Sequence, residues 1–173
     1  MFLELIATVF AGIAMAGVVM VINRATGGRL PRWFAPVAAG AAMIGVTISS
    51  EYSWYGRTLD GMPDGLQVVQ EVENKSMIRP WTYAVPFVDR FAAIDTSSIQ
   101  RNPKLADQRL GDLYLFGRWA PVNKLPVLAD CAGARRANLI DGANFDAEGA
   151  VIDASWVQVA HDDPVLTALC EAV

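Results

Sequence analysis

Charge is nearly missing from the first 50 residues, where Glu4, Arg24, Arg29 and Arg32 are the only charged side chains. A stretch so poor in charge cannot serve as the wet surface of an ordinary soluble domain. Long basic runs are missing everywhere. The chain holds 14 basic and 18 acidic residues, and beyond residue 50 the balance is 17 acidic to 11 basic, a net charge of -6. Arg135-Arg136 is the only adjacent basic pair. Phosphate binding needs an array of Lys and Arg that releases counterions, so no nucleic-acid partner is expected.

Reactive side chains are equally scarce. There are two cysteines and one histidine, with no CxxC for thiol exchange, no CxxCH for haem and no Cys/His spacing suited to zinc. Neither GxGxxG nor GxxxxGK[ST] occurs, which removes the usual nucleotide-phosphate cradles. No repeat or low-complexity tract is present. No cofactor and no metal are expected.

What is present is apolar length. Hydrophobic residues make up 53% of the chain, and the mean hydropathy is +0.29. Phe2–Ile22 reads FLELIATVFAGIAMAGVVMVI, and as a helix it spans about 30 Å, the thickness of a bilayer core. Trp33–Ser50 carries no charge at all, and Glu51–Tyr55 can extend it into the headgroups. Pro36 falls in its first turn, where the missing amide hydrogen is tolerated. Buried helices of soluble proteins usually keep a polar stripe, and neither segment has one. A transmembrane hairpin over residues 1–55 is therefore expected, with helices at about 2–22 and 33–52 and a loop at 23–32. Ala14-Met15-Ala16 looks like a signal cleavage site, but Glu4 stands where a basic n-region belongs, so cleavage is not expected.

The loop holds Arg24, Arg29 and Arg32 without an acid. The positive-inside rule puts it in the cytoplasm. The N-terminus and the large C-terminal part then face outward, to the periplasm if the membrane is a bacterial inner membrane. Trp33 suits the inner interface, and Tyr52, Trp54 and Tyr55 suit the outer one. Ala7/Ala11, Gly12/Ala16 and Ala41/Gly45 are spaced four apart, which permits close helix packing. They serve the hairpin itself or a neighbouring membrane subunit. No ionisable group lies near mid-membrane, so transport by this chain alone is not expected.

Residues 56–173 read as one extracytoplasmic domain, mainly β with a short C-terminal helix, giving an α+β class overall. Gly56–Gly65 is a turn-rich connector that keeps the domain close to the membrane. LQVVQEVEN at 66–74 is a strand. Within 81–94, Pro86 argues against a central strand, leaving a helical turn or an edge strand for VDRFAAI. DLYLFGRW at 112–119 is the clearest strand, with Leu113, Leu115 and Trp119 on one face and Tyr114, Phe116 and Arg118 on the other. Residues 124–131 and 138–141 are short candidates, and 150–160 is a further strand. Pro164–Ala172 forms a helix capped by Asp162 or Asp163.

Cys131 and Cys170 fall in the compartment where disulfides form. A bridge between them contributes on the order of 3–4 kcal/mol through loop closure; two unrelated buried thiols are the alternative. His161, beside Asp162 and Asp163, reads as part of a polar helix start rather than a catalytic base. Asp141, Asp146, Glu148 and Asp153, around Gly142 and Gly149, miss the EF-hand pattern and fit a solvated turn. The segment 76–91, SMIRPWTYAVPFVDRF, combines rigid aromatics, prolines and arginines. Its Arg79, Trp81, Tyr83, Phe87, Arg90 and Phe91, with Trp54, allow three readings: core packing, a partner surface or contact with lipid headgroups.

The function expected is non-catalytic: an accessory or assembly subunit whose partners are lipid and other integral membrane proteins. A respiratory or photosynthetic energy-transducing complex is one host of that kind. The alternatives are a membrane-anchored ligand-binding or sensor protein, favoured by any concave apolar pocket in the outer domain, and a membrane-tethered hydrolase built on His161 or the acidic cluster.

Overall fold

The computed structural model describes residues 2–139, 144, 146, 151–152 and 154–171. The chain divides at Asp60/Gly61 into a helical unit and a strand-rich unit.

The helical unit is a pair of long helices, α1 (Phe2–Ala25) and α2 (Phe34–Asp60). Two left-handed glycines, Gly27 (φ 73°) and Gly28 (φ 79°), stop α1, a conformation glycine adopts without a Cβ penalty. The Gly28 amide donates to Asn23 O at 2.7 Å, and the Asn23 side-chain oxygen accepts from the Leu30 amide at 2.9 Å. The chain thus turns back within a few residues. The helices run antiparallel, since Glu4 meets Ser50 and Gly12 meets Met43. A Cβ on Gly12 would lie 2.9 Å from Met43 Cγ and Sδ, so this glycine is the close-approach point of the seam. Ala11 and Ala16 are half-buried, whereas Ala7, Ala41 and Gly45 are exposed. Nothing lies within 4 Å of a Cβ built on Gly45. Only Gly12 and Val19 of α1 are buried; Leu3, Leu5, Phe10, Ile13, Met20 and Val21 are exposed. Both helices are long and apolar enough to cross a membrane.

Helix α2 outlasts the expected end near residue 52. Gly56–Asp60 belong to the helix rather than to a connector, which shrinks to Gly61–Gly65. One glycine inside a helix costs only about 1 kcal/mol. The Thr58 hydroxyl donates to Trp54 O at 2.8 Å within the last turns. Pro63 and the left-handed Gly65 (φ 101°) then break the helix.

The strand-rich unit contains a six-stranded antiparallel sheet in sequence order. Its strands are β1 (Leu66–Asn74), β2 (Phe87–Arg101), β3 (Gln108–Gly117), β4 (Ala120–Asp130), β5 (Arg135–Asn138) and β6 (Val157–Gln158). A 3-10 turn, Pro80–Tyr83, precedes β2, and α3 (Pro164–Glu171) closes the described chain. Registers such as Ile94 opposite Leu113 and Leu113 opposite Leu125 align the apolar positions of neighbouring strands. The core joins Ile94, Leu113, Val127 and Ala129 of the sheet to Val165, Leu166 and Leu169 of α3. The class is α+β, as expected.

Several sequence expectations change. Residues 87–94 are neither a helical turn nor an edge strand, because β2 pairs with β1 on one side and β3 on the other. Pro86 lies just outside the strand, where its missing amide hydrogen disrupts no ladder. β3 begins at Gln108, four residues early, and Trp119 falls in the β3–β4 turn. The two short candidates after it become a long β4 and a β5 shifted forward to Arg135–Asn138. Of the strand expected at 150–160, the described residues form the short β6, Val157–Gln158, paired with Arg136 and Arg135 of β5, and a single bridge at Val151.

Candidate interaction surface

Helix α3 is held at three points. The Asp163 carboxylate accepts from the Val165 and Leu166 amides at 3.1 and 2.9 Å, so Asp163 is the cap of the two candidates. Arg109 donates to the carbonyls of Leu169 and Cys170 at the other end. The Cys131–Cys170 disulfide is formed, with the Cα atoms 5.9 Å apart. Gly111 lets the helix approach, because a Cβ there would collide with Leu169 Cδ2.

This clamp has a geometric consequence. Eight helical residues reach about 12 Å, whereas a ten-residue strand such as β3 reaches about 33 Å. α3 therefore covers Ile94, Leu113 and Val127 but not the far end of the same sheet face. There the pairings Val72/Arg90, Ala92/Leu115 and Leu115/Asn123 continue the alternation. Leu115 is 40% exposed and Trp119 is 51% exposed. An open groove of about 580 Å³ lies along this end, lined by Val72, Arg90, Ala92, Leu115, Trp119 and Asn123 among others. The Arg118 guanidinium sits 4.8 Å from the Trp119 ring centroid, which holds the indole at the groove mouth. The Arg118 amide donates to Asp89 O at 3.1 Å, tying this turn to β2.

The aromatic segment divides. Phe87 and Phe91 are buried, and Phe91 stacks on Phe116 with centroids 4.7 Å apart. Arg90 is exposed and joins the groove. Trp81 and Tyr83 stay exposed in the 3-10 turn, with Arg79 at its start. Trp54 is a buried residue of α2. The groove lies outside the sequence expectations. Its one sequence signal is Trp119, two positions beyond the end of a strand whose buried residues are the small Gly111 and the aliphatic Leu113.

Two polar sites are structural. Asp130 is buried and accepts from the Gly133 amide at 3.1 Å and from Arg135 Nε at 2.7 Å. Burial pushes its pKa up, but the Gly133 amide, the Arg135 guanidinium and the Ala132 amide outweigh this and hold it below the ordinary carboxylate range. Arg135 also stacks 4.7 Å from the Trp156 ring centroid. Lys124 is raised by its 2.8 Å pair with Asp112. His161 lies in an exposed turn closed by the Asp163 amide donating to Ala160 O. Of the acidic group near residue 146, Asp146 is exposed; Asp141, Glu148 and Asp153, with Gly142 and Gly149, lie outside the described residues. Among the described residues no cluster of three or more His, Cys, Asp or Glu is arranged to hold a metal ion.

Comparison with known proteins returned no match: no family model, no curated protein and no solved structure matches this chain.

Proposed function

We propose that this protein is a membrane-anchored, non-catalytic accessory or assembly subunit of a larger integral membrane complex, with an energy-transducing complex as one host. The observation that carries the reading is the exposure of apolar side chains along both α1 and α2, from Leu3 to Val21 and from Val37 to Ile44. In water such surfaces are strongly unfavourable; in lipid they are the expected exterior. The small pair Ala41/Gly45 lies exposed, outside the contact of Gly12 with Met43, and suits close packing with a further transmembrane helix. Arg24 in the last turn of α1, with Arg29 and Arg32 in the link that follows, supports a cytoplasmic hairpin turn, with the strand-rich domain on the periplasmic side of a bacterial inner membrane. The Cys131–Cys170 bridge agrees with that oxidising side.

Purification of the tagged chain from its own membranes in mild detergent tests this. A stoichiometric membrane partner is expected, and Gly45→Leu should reduce its recovery while the hairpin stays folded. Repeated recovery of the chain alone, at its monomer mass, would sink the proposal.

The groove beside Leu115 and Trp119 favours a second reading, an outer domain that takes a small apolar ligand or an extended peptide. Under this reading Trp119→Ala abolishes binding in a fluorescence screen of such compounds, and the detergent-purified chain remains partner-free.

A further inference from the structure

The loop between β1 and β2 exposes apolar side chains while being internally fastened. Met77 is 88% exposed and Ile78 is 89% exposed, and the neighbouring Trp81 and Tyr83 are exposed too. The loop is nonetheless ordered around Thr82, which is fully buried. The Thr82 hydroxyl accepts from the Ser76 amide at 2.9 Å and donates to Arg79 O at 2.7 Å. The Arg79 amide donates to Ser76 O at 3.0 Å, and the Ala84 and Val85 amides both donate to Trp81 O. Pro80 and Pro86 stiffen both sides. Met77 and Ile78 are thus held at the tip of a built loop.

Charge singles out the same segment. Beyond residue 50 the chain has a net charge of -6, yet between Asn74 and Val88 the only charged residues are Lys75 and Arg79. Apolar tips flanked by amphipathic aromatics and cations match the chemistry of a bilayer interface with anionic headgroups. A protein partner of a standard docking site would be met by a broader, more concave surface such as the Leu115/Trp119 groove.

We propose that the 75–85 loop is a second, interfacial membrane contact: Met77 and Ile78 enter the acyl boundary, Trp81 and Tyr83 lie at headgroup depth, and Lys75 faces anionic lipid. The proposal rests on the membrane-anchored reading above.

The full chain reconstituted in nanodiscs tests it, because its cysteines are bridged and none is free. An environment-sensitive fluorophore is attached to a single introduced cysteine: Ile78→Cys for the loop, Val21→Cys for α1 and Val157→Cys for an exposed strand position. Doxyl-labelled lipids serve as quencher, in phosphatidylcholine discs with and without phosphatidylglycerol. Expected are strong quenching at Val21→Cys and several-fold greater quenching at Ile78→Cys than at Val157→Cys. The Ile78→Cys signal should increase with phosphatidylglycerol and decrease in the Lys75→Glu background. Quenching at Val21→Cys with water-like emission at Ile78→Cys overturns the loop proposal and leaves the anchor standing. Equal quenching of the loop in both lipids also overturns it, and so does emission that turns apolar only when co-purified subunits are added back. Water-like emission at both positions overturns the anchor and the loop together.

Discussion

Gly111 and Asp130 show how single side chains set the strand-rich unit. A Cβ at position 111 would press into Leu169 Cδ2 and stand 3.4 Å from Ile99 Cγ1. Leu169 is almost fully buried and has little room to yield. Gly111→Ala is expected to cost about 1–3 kcal/mol by overpacking, read as a lower thermal midpoint of the near-UV circular dichroism signal. Leu169→Ala on the same chain should recover part of that loss, a coupling that unrelated sites would not show. Asp130 has a depressed folded-state pKa, so its contribution is fully present above the unfolded carboxylate value, near about pH 3.9. It is lost as pH falls through the lower folded value. The thermal midpoint is therefore expected to fall on acidification below about pH 4. Asp130→Asn should lower stability by roughly 1–3 kcal/mol at neutral pH and flatten that acid limb. Neither role is visible in the linear chain, because Gly111 meets α3 and Asp130 meets Arg135 only once the strands are in register.

Elements act through how little or how much they cover. α3 is short and would be marginal alone, yet Asp163, Arg109 and the disulfide fix it at both ends. Removing the bridge with the paired change Cys131→Ser and Cys170→Ser is expected to cost about 4 kcal/mol. Amides of α3 should then exchange faster than those of β3. Faster exchange across the whole sheet instead would mean that α3 is integral to the unit rather than clamped onto it. In the hairpin, Gly12→Val would place atoms within 3 Å of Met43 and is expected to open the α1–α2 seam, measured as earlier loss of helicity in a denaturing-detergent titration. Gly45→Leu should leave that titration unchanged, since nothing lies within 4 Å of its Cβ position. The strand 66–74 was legible from its β-branched alternation, and β1 has those bounds. β2 was not, because Pro86 and the continuous AAI run carry no period-2 signal when both faces of a central strand are buried.

At the scale of the whole molecule, the proposed direction in the membrane is read by the accessibility of introduced cysteines. A cysteine introduced at the exposed Thr26, in the short link after α1, should react with a membrane-impermeant thiol reagent only after spheroplasts are lysed. A cysteine introduced at the exposed Val157 should react before lysis. The opposite pattern would invert the proposed topology, and with it the oxidising environment invoked for Cys131–Cys170. The candidate groove also belongs to this level. It exists because a helix of about 12 Å is laid on strands nearly three times as long.

Composition alone carried the two apolar helices, the acidity of residues 51–173 and the pairing of two lone cysteines. These depend on transfer from water, on charge count and on an even count of cysteines, all of which are summed along the chain and need no fold to be read. The exposed tip at Met77 and Ile78, the burial of Phe87 and Phe91 in the same aromatic run, and the uncovered end beside Trp119 emerged with the packed structure. Exposure is a property of neighbours brought from far along the chain. Pairing such as Arg90 with Gly117 and Leu115 with Asn123, not the order of residues, decided which apolar groups were covered and which were left facing outward.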